Sequence, residues 1–317
     1  MSLLPVAVLT GVLLCACAPP AVAFNPQQLP AASDFGPRNA PLEWWYVSGY
    51  LPESELAFHW AQFKVNFRGV PFFTSHVAVT DLRNNTLTFT EQTSGPSEFS
   101  FPPLKVQQGE WKLQQDAESY TLNAGPLQLN LTPRKPAVLH PPGYSGTPET
   151  GQMYYQSVTR LDVTGVVNGR EARGEAWFDH QWGDQLPSRS VTWDWFGLQL
   201  SNGADLMVYR VKNARGDVVQ LAGSWVDAQG VAREVRNLRA VPLEAWRAPS
   251  GRSYVLSWEL QAAEFHLRVD PVRREQELLS GTTFVAYWEG PVRAEGSWGA
   301  ERVRAQGMAE FVAGPLF

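Results

Sequence analysis

Cysteine is scarce in this chain. Cys15 and Cys17 are the only two, and both fall in the first 23 residues. Everything downstream therefore lacks a disulfide, a thiol nucleophile and a thiolate metal site. Clustered positive charge is missing too. Lys and Arg number 26 against 31 Asp and Glu, a formal net charge of −5, and no patch of the kind nucleic acid requires stands out. The five histidines, His59, His76, His140, His180 and His266, are scattered with no His-x-x-x-His spacing, so no zinc site is expected. The strand-to-helix serine elbow Gly-x-Ser-x-Gly is not matched: Gly143-Tyr144-Ser145-Gly146 has the wrong spacing, and no αβ alternation surrounds it. Long amphipathic helices are absent from the pattern, as is any apolar run of the ~20 residues that a membrane-spanning helix needs. No cofactor is implied.

What the chain does have is apolar surface. Hydrophobic residues make up 44% and charged residues 18% of 317 residues, a globular composition long enough for roughly two domains. Thirteen tryptophans call for flat apolar walls, in a core or around a ligand. Residues 1–23 read as an export leader. Leu3 to Ala18 is uncharged and mostly apolar, and Ala21-Val22-Ala23 offers a small-residue cleavage site. Leu14-Cys15-Ala16-Cys17 offers another, a bacterial lipobox that would leave Cys17 to carry lipid. The expectation is an exported protein, in the periplasm or cell envelope as a lipoprotein, or secreted. Residues 24–42, with Pro26, Pro30, Pro37 and Pro41, read as an extended tether.

From there the chain alternates short apolar runs with turns. Trp44 to Leu51, Phe58 to Phe67, His76 to Val79, Thr86 to Thr90, Tyr120 to Leu122 and Leu127 to Leu131 have strand character. Asn168-Gly169 between apolar runs is a hairpin signal. Tyr154-Tyr155-Gln156-Ser157-Val158-Thr159-Arg160 lines up with Tyr287-Trp288-Glu289-Gly290-Pro291-Val292-Arg293. The same offset carries Gly174, Ala176 and Phe178 onto Gly307, Ala309 and Phe311. Leu127 to Pro133 resembles Phe265 to Pro271, and Trp45-Tyr46 resembles Trp195-Phe196. Matches in the same order along the chain indicate a tandem duplication. The expected fold is all-β: two antiparallel β-barrels or sandwiches, residues 43–185 and 186–317.

On these residues a family resemblance appears. Glu43-Trp44-Trp45-Tyr46-Val47-Ser48-Gly49-Tyr50-Leu51, Gln62-Phe63, His76 to Asp81, the Tyr-Tyr-x-Ser-x-x-Arg element at 154–160, Asp179-His180-Gln181-Trp182, Trp193-Asp194-Trp195-Phe196 and Tyr287-Trp288-Glu289-Gly290 resemble the carotenoid 1,2-hydratases and the AttH-like proteins labelled predicted secreted hydrolases. The resemblance runs from about residue 36 to the end. It implies a tandem lipocalin-like fold with an apolar, often isoprenoid, ligand near the junction of the halves.

Three functions are compatible with these residues: acid-catalysed hydration or isomerisation of a C=C bond, a non-catalytic carrier of an apolar small molecule or lipid, and, less supported, a secreted hydrolase. For the first, Asp194 between two indoles is the candidate general acid, because lost hydration raises a carboxyl pKa. His180 and Asp179 would orient it or position water. Trp44, Trp45, Tyr46, His76, Tyr154, Tyr155, Trp182, Trp193, Trp195, Tyr287, Trp288 and Glu289 are the candidate ligand walls. Strand alternation leaves another outcome open, in which Asp194 turns outward while Trp193 and Trp195 fill the core. Glu43 and Glu289 are expected in ion pairs with Arg160, Arg210 or Arg293. The membrane is reached only through a lipid on Cys17.

Overall fold

Period-two burial builds the sheets. Leu127–Pro133 buries Leu127, Leu129 and Leu131 and turns Gln128, Asn130 and Thr132 away from the core. Phe265–Pro271 buries Phe265, Leu267 and Val269 in the same way. A pleated strand with one wet face produces this pattern. The computed structural model describes residues 24–67, 69–185 and 190–317. Among these the elements are strands apart from one 3-10 turn, Pro52–Ser54. Asn168 and Gly169 both take positive φ, 49° and 74°, and close the hairpin that pairs Val167 with Arg170. That is the mirror-image turn Asn-Gly favours.

Two curled antiparallel sheets result, each a lipocalin-like half. From one edge, the first runs Thr86–Gln92, Val70–Asp81, Leu56–Phe67, Leu42–Leu51, Arg170–Gly183, Gly151–Val167, Leu127–Pro133, Ser119–Ala124, Trp111–Asp116, Lys105–Gln108, Ser97–Ser100. The second runs Ala232–Glu234, Val218–Val226, Asp205–Asn213, Val191–Leu200, Glu301–Pro315, Val285–Trp298, Phe265–Pro271, Ser253–Gln261, Arg239–Arg247. The order repeats: each half opens on a strand that pairs with its own last strand. A short extra strand, Val138–Thr147 or Glu277–Leu279, pairs with the next-to-last strand in each. The duplication read from the sequence is thus visible in the topology.

Each half has its own core. Trp45, Trp60, Phe58 and Phe178 fill the first, and Trp258, Trp288, Phe196 and Phe311 the second. A third cluster lies where the halves meet and includes Tyr50, Tyr155, Trp177, Trp195, Met207 and Tyr209. Strands such as Leu42–Leu51 and Val191–Leu200 are therefore buried on both faces over much of their length.

Residues 24–41 correct the expected tether. Phe35 is buried and stacks on Phe178 at 4.7 Å. Its carbonyl accepts a hydrogen bond from Trp45 Nε1 at 2.9 Å, and Gln156 Nε2 donates to the Asp34 carbonyl at 2.7 Å. Tyr154 donates to the Asn25 carbonyl at 2.6 Å. The prolines keep this segment extended, so side chains from the sheet satisfy its backbone and hold it against the first half. The leader, with Ala21-Val22-Ala23 and Cys17, lies outside the described residues.

A buried charge cluster joins the halves. Asp205 is fully buried, and it receives Arg160 and Lys135, each at 2.7 Å, and the Thr159 hydroxyl at 2.7 Å, all from the first half. Arg160 also pairs with Glu175 at 2.9 Å. Removing one member of such a cluster leaves the others charged and out of water. Asp205→Asn should therefore lower the unfolding free energy by about 3–5 kcal/mol, read by urea denaturation; a change under about 1 kcal/mol would show that the cluster does not hold the seam.

Candidate functional site

The faces that the halves turn toward one another enclose a cavity of about 510 Å³. Its walls are aromatic: Trp44, Tyr46, Phe63, Tyr155, Trp193, Trp195, Tyr209 and Tyr287. Trp44 and Trp193, one from each half, lie 6.3 Å apart with their planes 10° from parallel. Its acids and histidines are Asp179, Glu289, Glu310, His59 and His76, and among the described residues lining it there is no Lys or Arg.

Strand register explains how these groups converge. Across the first sheet Ala61, Tyr46, Asp179 and Ser157 form one row. Across the second, Tyr209, Trp195, Glu310 and Glu289 form the row on the corresponding strands in the corresponding order. Asp179 and Glu310 are thus counterparts in the two halves. The sequence match is slightly out of step here. It set Tyr154 against Tyr287, but Tyr155 is the residue that shares the cavity with Tyr287. A one-residue slip moves a strand's side chains to the other face. The match of Leu127 to Pro133 with Phe265 to Pro271 has the right facing.

Both counterpart acids resist ionisation. Burial pushes the Glu310 carboxyl up to about 8, helped by the neighbouring Glu289 charge, while the hydrogen bond from Trp193 Nε1 at 3.0 Å opposes the rise. Burial pushes Asp179 up to about 7. Three donors oppose that rise by stabilising the carboxylate: Ser157, Trp177 Nε1 and the Tyr155 hydroxyl, the last at 2.9 Å. Asp179 is therefore fully engaged as an acceptor, whereas Glu310 has a single donor and an oxygen left to carry a proton. Glu289, directly opposite Glu310, takes the Tyr46 hydroxyl at 2.5 Å and faces His59 Nδ1 at 2.9 Å. With Nδ1–H directed at the carboxylate, Nε2 is the basic nitrogen of His59. His76 lies 2.8 Å from the Thr282 hydroxyl and 3.1 Å from Glu91, whose pKa falls to about 2 despite partial burial because His76, Ser280 and Thr282 bind it. The Tyr209 hydroxyl is buried and has no hydrogen-bond partner among the described residues.

Of the candidate residues, Trp44, Tyr46, His76, Tyr155, Trp193, Trp195, Tyr287, Glu289 and Asp179 line the cavity. The other candidates are elsewhere. Asp194 is a correction: alternation that brings Trp193 and Trp195 to the cavity puts Asp194 on the opposite face. There it is nearly buried in ion pairs with Arg210 at 2.6 Å and Lys212 at 3.1 Å. His180 is buried in the first half between Trp45 and Trp182, at ring distances of 4.8 and 4.5 Å, and contacts Glu43 at 2.9 Å. Burial lowers its pKa. Trp45 and Trp288 belong to the cores, and Tyr154 and Trp182 pack with Phe24 and Ala40. The expected arginine partners of Glu43 and Glu289 are replaced by Lys64 with His180, and by His59 with Tyr46.

His59, Glu310 and Tyr209 were missed. Phe58-His59-Trp60 carries the signal for His59, because two large apolar neighbours on the core face send it the other way. Ala309-Glu310-Phe311 carries a similar one.

Ser157 bears on the hydrolase alternative. His140 Nε2 lies 2.7 Å from its hydroxyl and His140 Nδ1 2.6 Å from Ser224, so a serine, a histidine and an acid do meet. The order is wrong for a hydrolytic triad, since Asp179 binds the serine and not the histidine. Ser157 is fully buried, and burial drops His140 to about 3. Among the described residues no group of three His, Cys, Asp or Glu is arranged to hold a metal ion.

Two lipocalin-like halves enclosing an aromatic, acid-lined cavity define a class of tandem β protein with a cavity at the seam. The chain belongs to the AttH-like family, whose family model matches residues 22–314. Its fold is similar to that of the NE1406 protein of Nitrosomonas europaea, assigned as an AttH, at 24% identity and a TM-score of 0.77, covering 92% of this chain and 98% of that one. It is also similar to kievitone hydratase from Nectria haematococca, at 16% identity and a TM-score of 0.66 over 90% and 93% of the two chains. CghA, solved with Sch210972, shares the fold at 12% identity and a TM-score of 0.60 over 94% and 97%. No curated protein matches the chain.

Glu310 links stability to pH. The folded protein keeps this proton up to about pH 8, whereas the ordinary glutamate value is 4.5. Between those values the folded state binds more protons than the unfolded one, so stability falls as pH rises toward about 8. Glu310→Gln should remove this part of the slope, checked by denaturing both forms at about pH 5 and about pH 8.5.

Proposed function

We propose that this protein adds water across a C=C bond of a neutral, apolar molecule held between its halves. The observation that carries the reading is a protonated carboxyl, Glu310, facing an aromatic cavity beside an ionisable pair, Glu289 and His59. The shared fold with a hydratase and the resemblance to carotenoid hydratases support it. Carboxylates without a lining Lys or Arg disfavour an anionic head group, so the substrate is uncharged and polyene- or isoprenoid-like.

The π electrons of the alkene take the Glu310 proton, forming a C–H bond and leaving positive charge on the other carbon. Trp44 and Trp193 present faces that stabilise a cation, worth up to ~2 kcal/mol when desolvated. The Glu289 carboxyl group, opposite Glu310 on the neighbouring strand, faces the same charge. Water held at His59 Nε2 forms the C–O bond while its proton passes to the imidazole, which returns it to the Glu310 carboxylate. Tyr46 keeps Glu289 oriented, and Asp179 fixes Tyr155 and through it Trp195.

The test is to incubate the purified protein with acyclic polyenes and terpenes in oxygen-18 water and look for products gaining one labelled water. Glu310→Gln should cut the rate by about 10²–10⁴ while binding is retained. Turnover needs the protonated acid, so it should fall as pH rises through about 8. Full activity in Glu310→Gln removes Glu310 as the acid. Tight binding of apolar molecules with no labelled product across the series identifies a carrier instead.

A further inference from the structure

The cavity opens at one end of the molecule, and the opening is apolar. The hairpin of Leu56–Phe67 and Val70–Asp81 carries its cavity face from the acidic floor to its tip. His59, Ala61, Phe63 and Val65 follow one strand, facing His76, Thr74 and Phe72 across the pairs on the other. At the tip Val65 and Phe72 come into water, 40% and 66% exposed, and nearby Val70 is 63% exposed. From the second half Phe284, which also lines the cavity, is 57% exposed, and the Leu316 amide bonds to its carbonyl, bringing terminal Phe317 alongside. Thr93, Gln185, Thr282 and Thr283, which also line the cavity, are uncharged. Exposed large apolar groups ringing an apolar cavity are not scattered surface residues.

A second observation concerns the start of the described chain. Phe24 packs on Tyr144 and Tyr154, beside the end of the sheet where Leu42 pairs with both Gly183 and Val65. That is the mouth end. Cys17 precedes Phe24 by seven positions, a reach of at most about 25 Å.

We propose that the mouth, with Val65, Val70, Phe72 and Phe284, docks on a lipid bilayer, so that an apolar substrate enters the cavity from the membrane without crossing water. A lipid on Cys17 would hold this face toward the same bilayer. The inference rests on the apolar-ligand reading of the cavity.

The experiment is flotation of the protein, as processed in its host, with uncharged phosphatidylcholine vesicles, alongside a Cys17→Ala form that has no acyl chain. The Cys17→Ala protein should float with the vesicles. Adding Phe72→Ser with Phe284→Ser should lower its partitioning by at least about tenfold, as expected for losing two inserted phenyl rings. Circular dichroism should be unchanged, since both positions are exposed. The proposal is overturned if the double variant floats as before, if Cys17→Ala protein stays in solution, or if sedimentation reveals a dimer that the double variant abolishes, which would make a second copy the occupant of the rim. Glu310→Gln should float like the parent. Docking that persists without any polyene gaining water removes the hydratase reading alone, and hydration of detergent-dispersed polyene without docking removes this inference alone.

Discussion

Two carboxyls placed opposite one another in an apolar cavity cannot both be charged, and the site is organised around that constraint. Glu289 and Glu310 are cross-strand partners. Like charges so close repel, and burial sharpens the repulsion by removing the water that would screen it. The surroundings decide which group keeps the proton. His59 and Tyr46 both attend Glu289, whereas Glu310 has the indole of Trp193. A lysine or arginine in the wall would dissolve the distinction by letting both ionise. Among the described residues the lining has none, and Arg210 and Lys212 are committed to Asp194 behind it.

The fold was largely legible in the sequence, the site about half so, and the reason is the same physics. In outer strands such as Leu127–Pro133 one face is wet, and alternation identifies the core face without help. Central strands are different. Trp44, Trp45 and Tyr46 are all apolar or aromatic because one face meets a core and the other meets the opposite half. There the sequence says that both faces are dry but not which one belongs to the cavity. Asp194 and His180 were therefore taken as site residues when they face away from it, and Tyr154, Trp182, Trp45 and Trp288 were taken as walls. His59 was readable from its neighbours Phe58 and Trp60. Glu310 was readable in the same way from Ala309 and Phe311, but its place opposite Glu289 needed the register of Glu301–Pro315 against Val285–Trp298, which no local pattern reveals.

The seam that holds the site is also where the halves are fastened. Asp205 gathers Arg160, Lys135 and Thr159 across it, and His140 spans Ser157 in one half and Ser224 in the other. Because the walls come from both halves, a slight shift at the seam would part Trp44 from Trp193 and Tyr46 from Glu289. Rigid, directional polar contacts at the seam suit that requirement better than apolar packing alone, which tolerates sliding.

The equivalence of Asp179 and Glu310 has an evolutionary consequence. A single half that paired with itself about a twofold axis would present the same acid twice, with the same partners, and symmetry would forbid giving the two different duties. Fusing two copies into one chain lifts that restriction. One copy came to surround its acid with Ser157, Tyr155 and Trp177, while the other set its acid against Glu289. The departure from symmetry at this one row is what a duplicated gene can explore and a homodimer cannot.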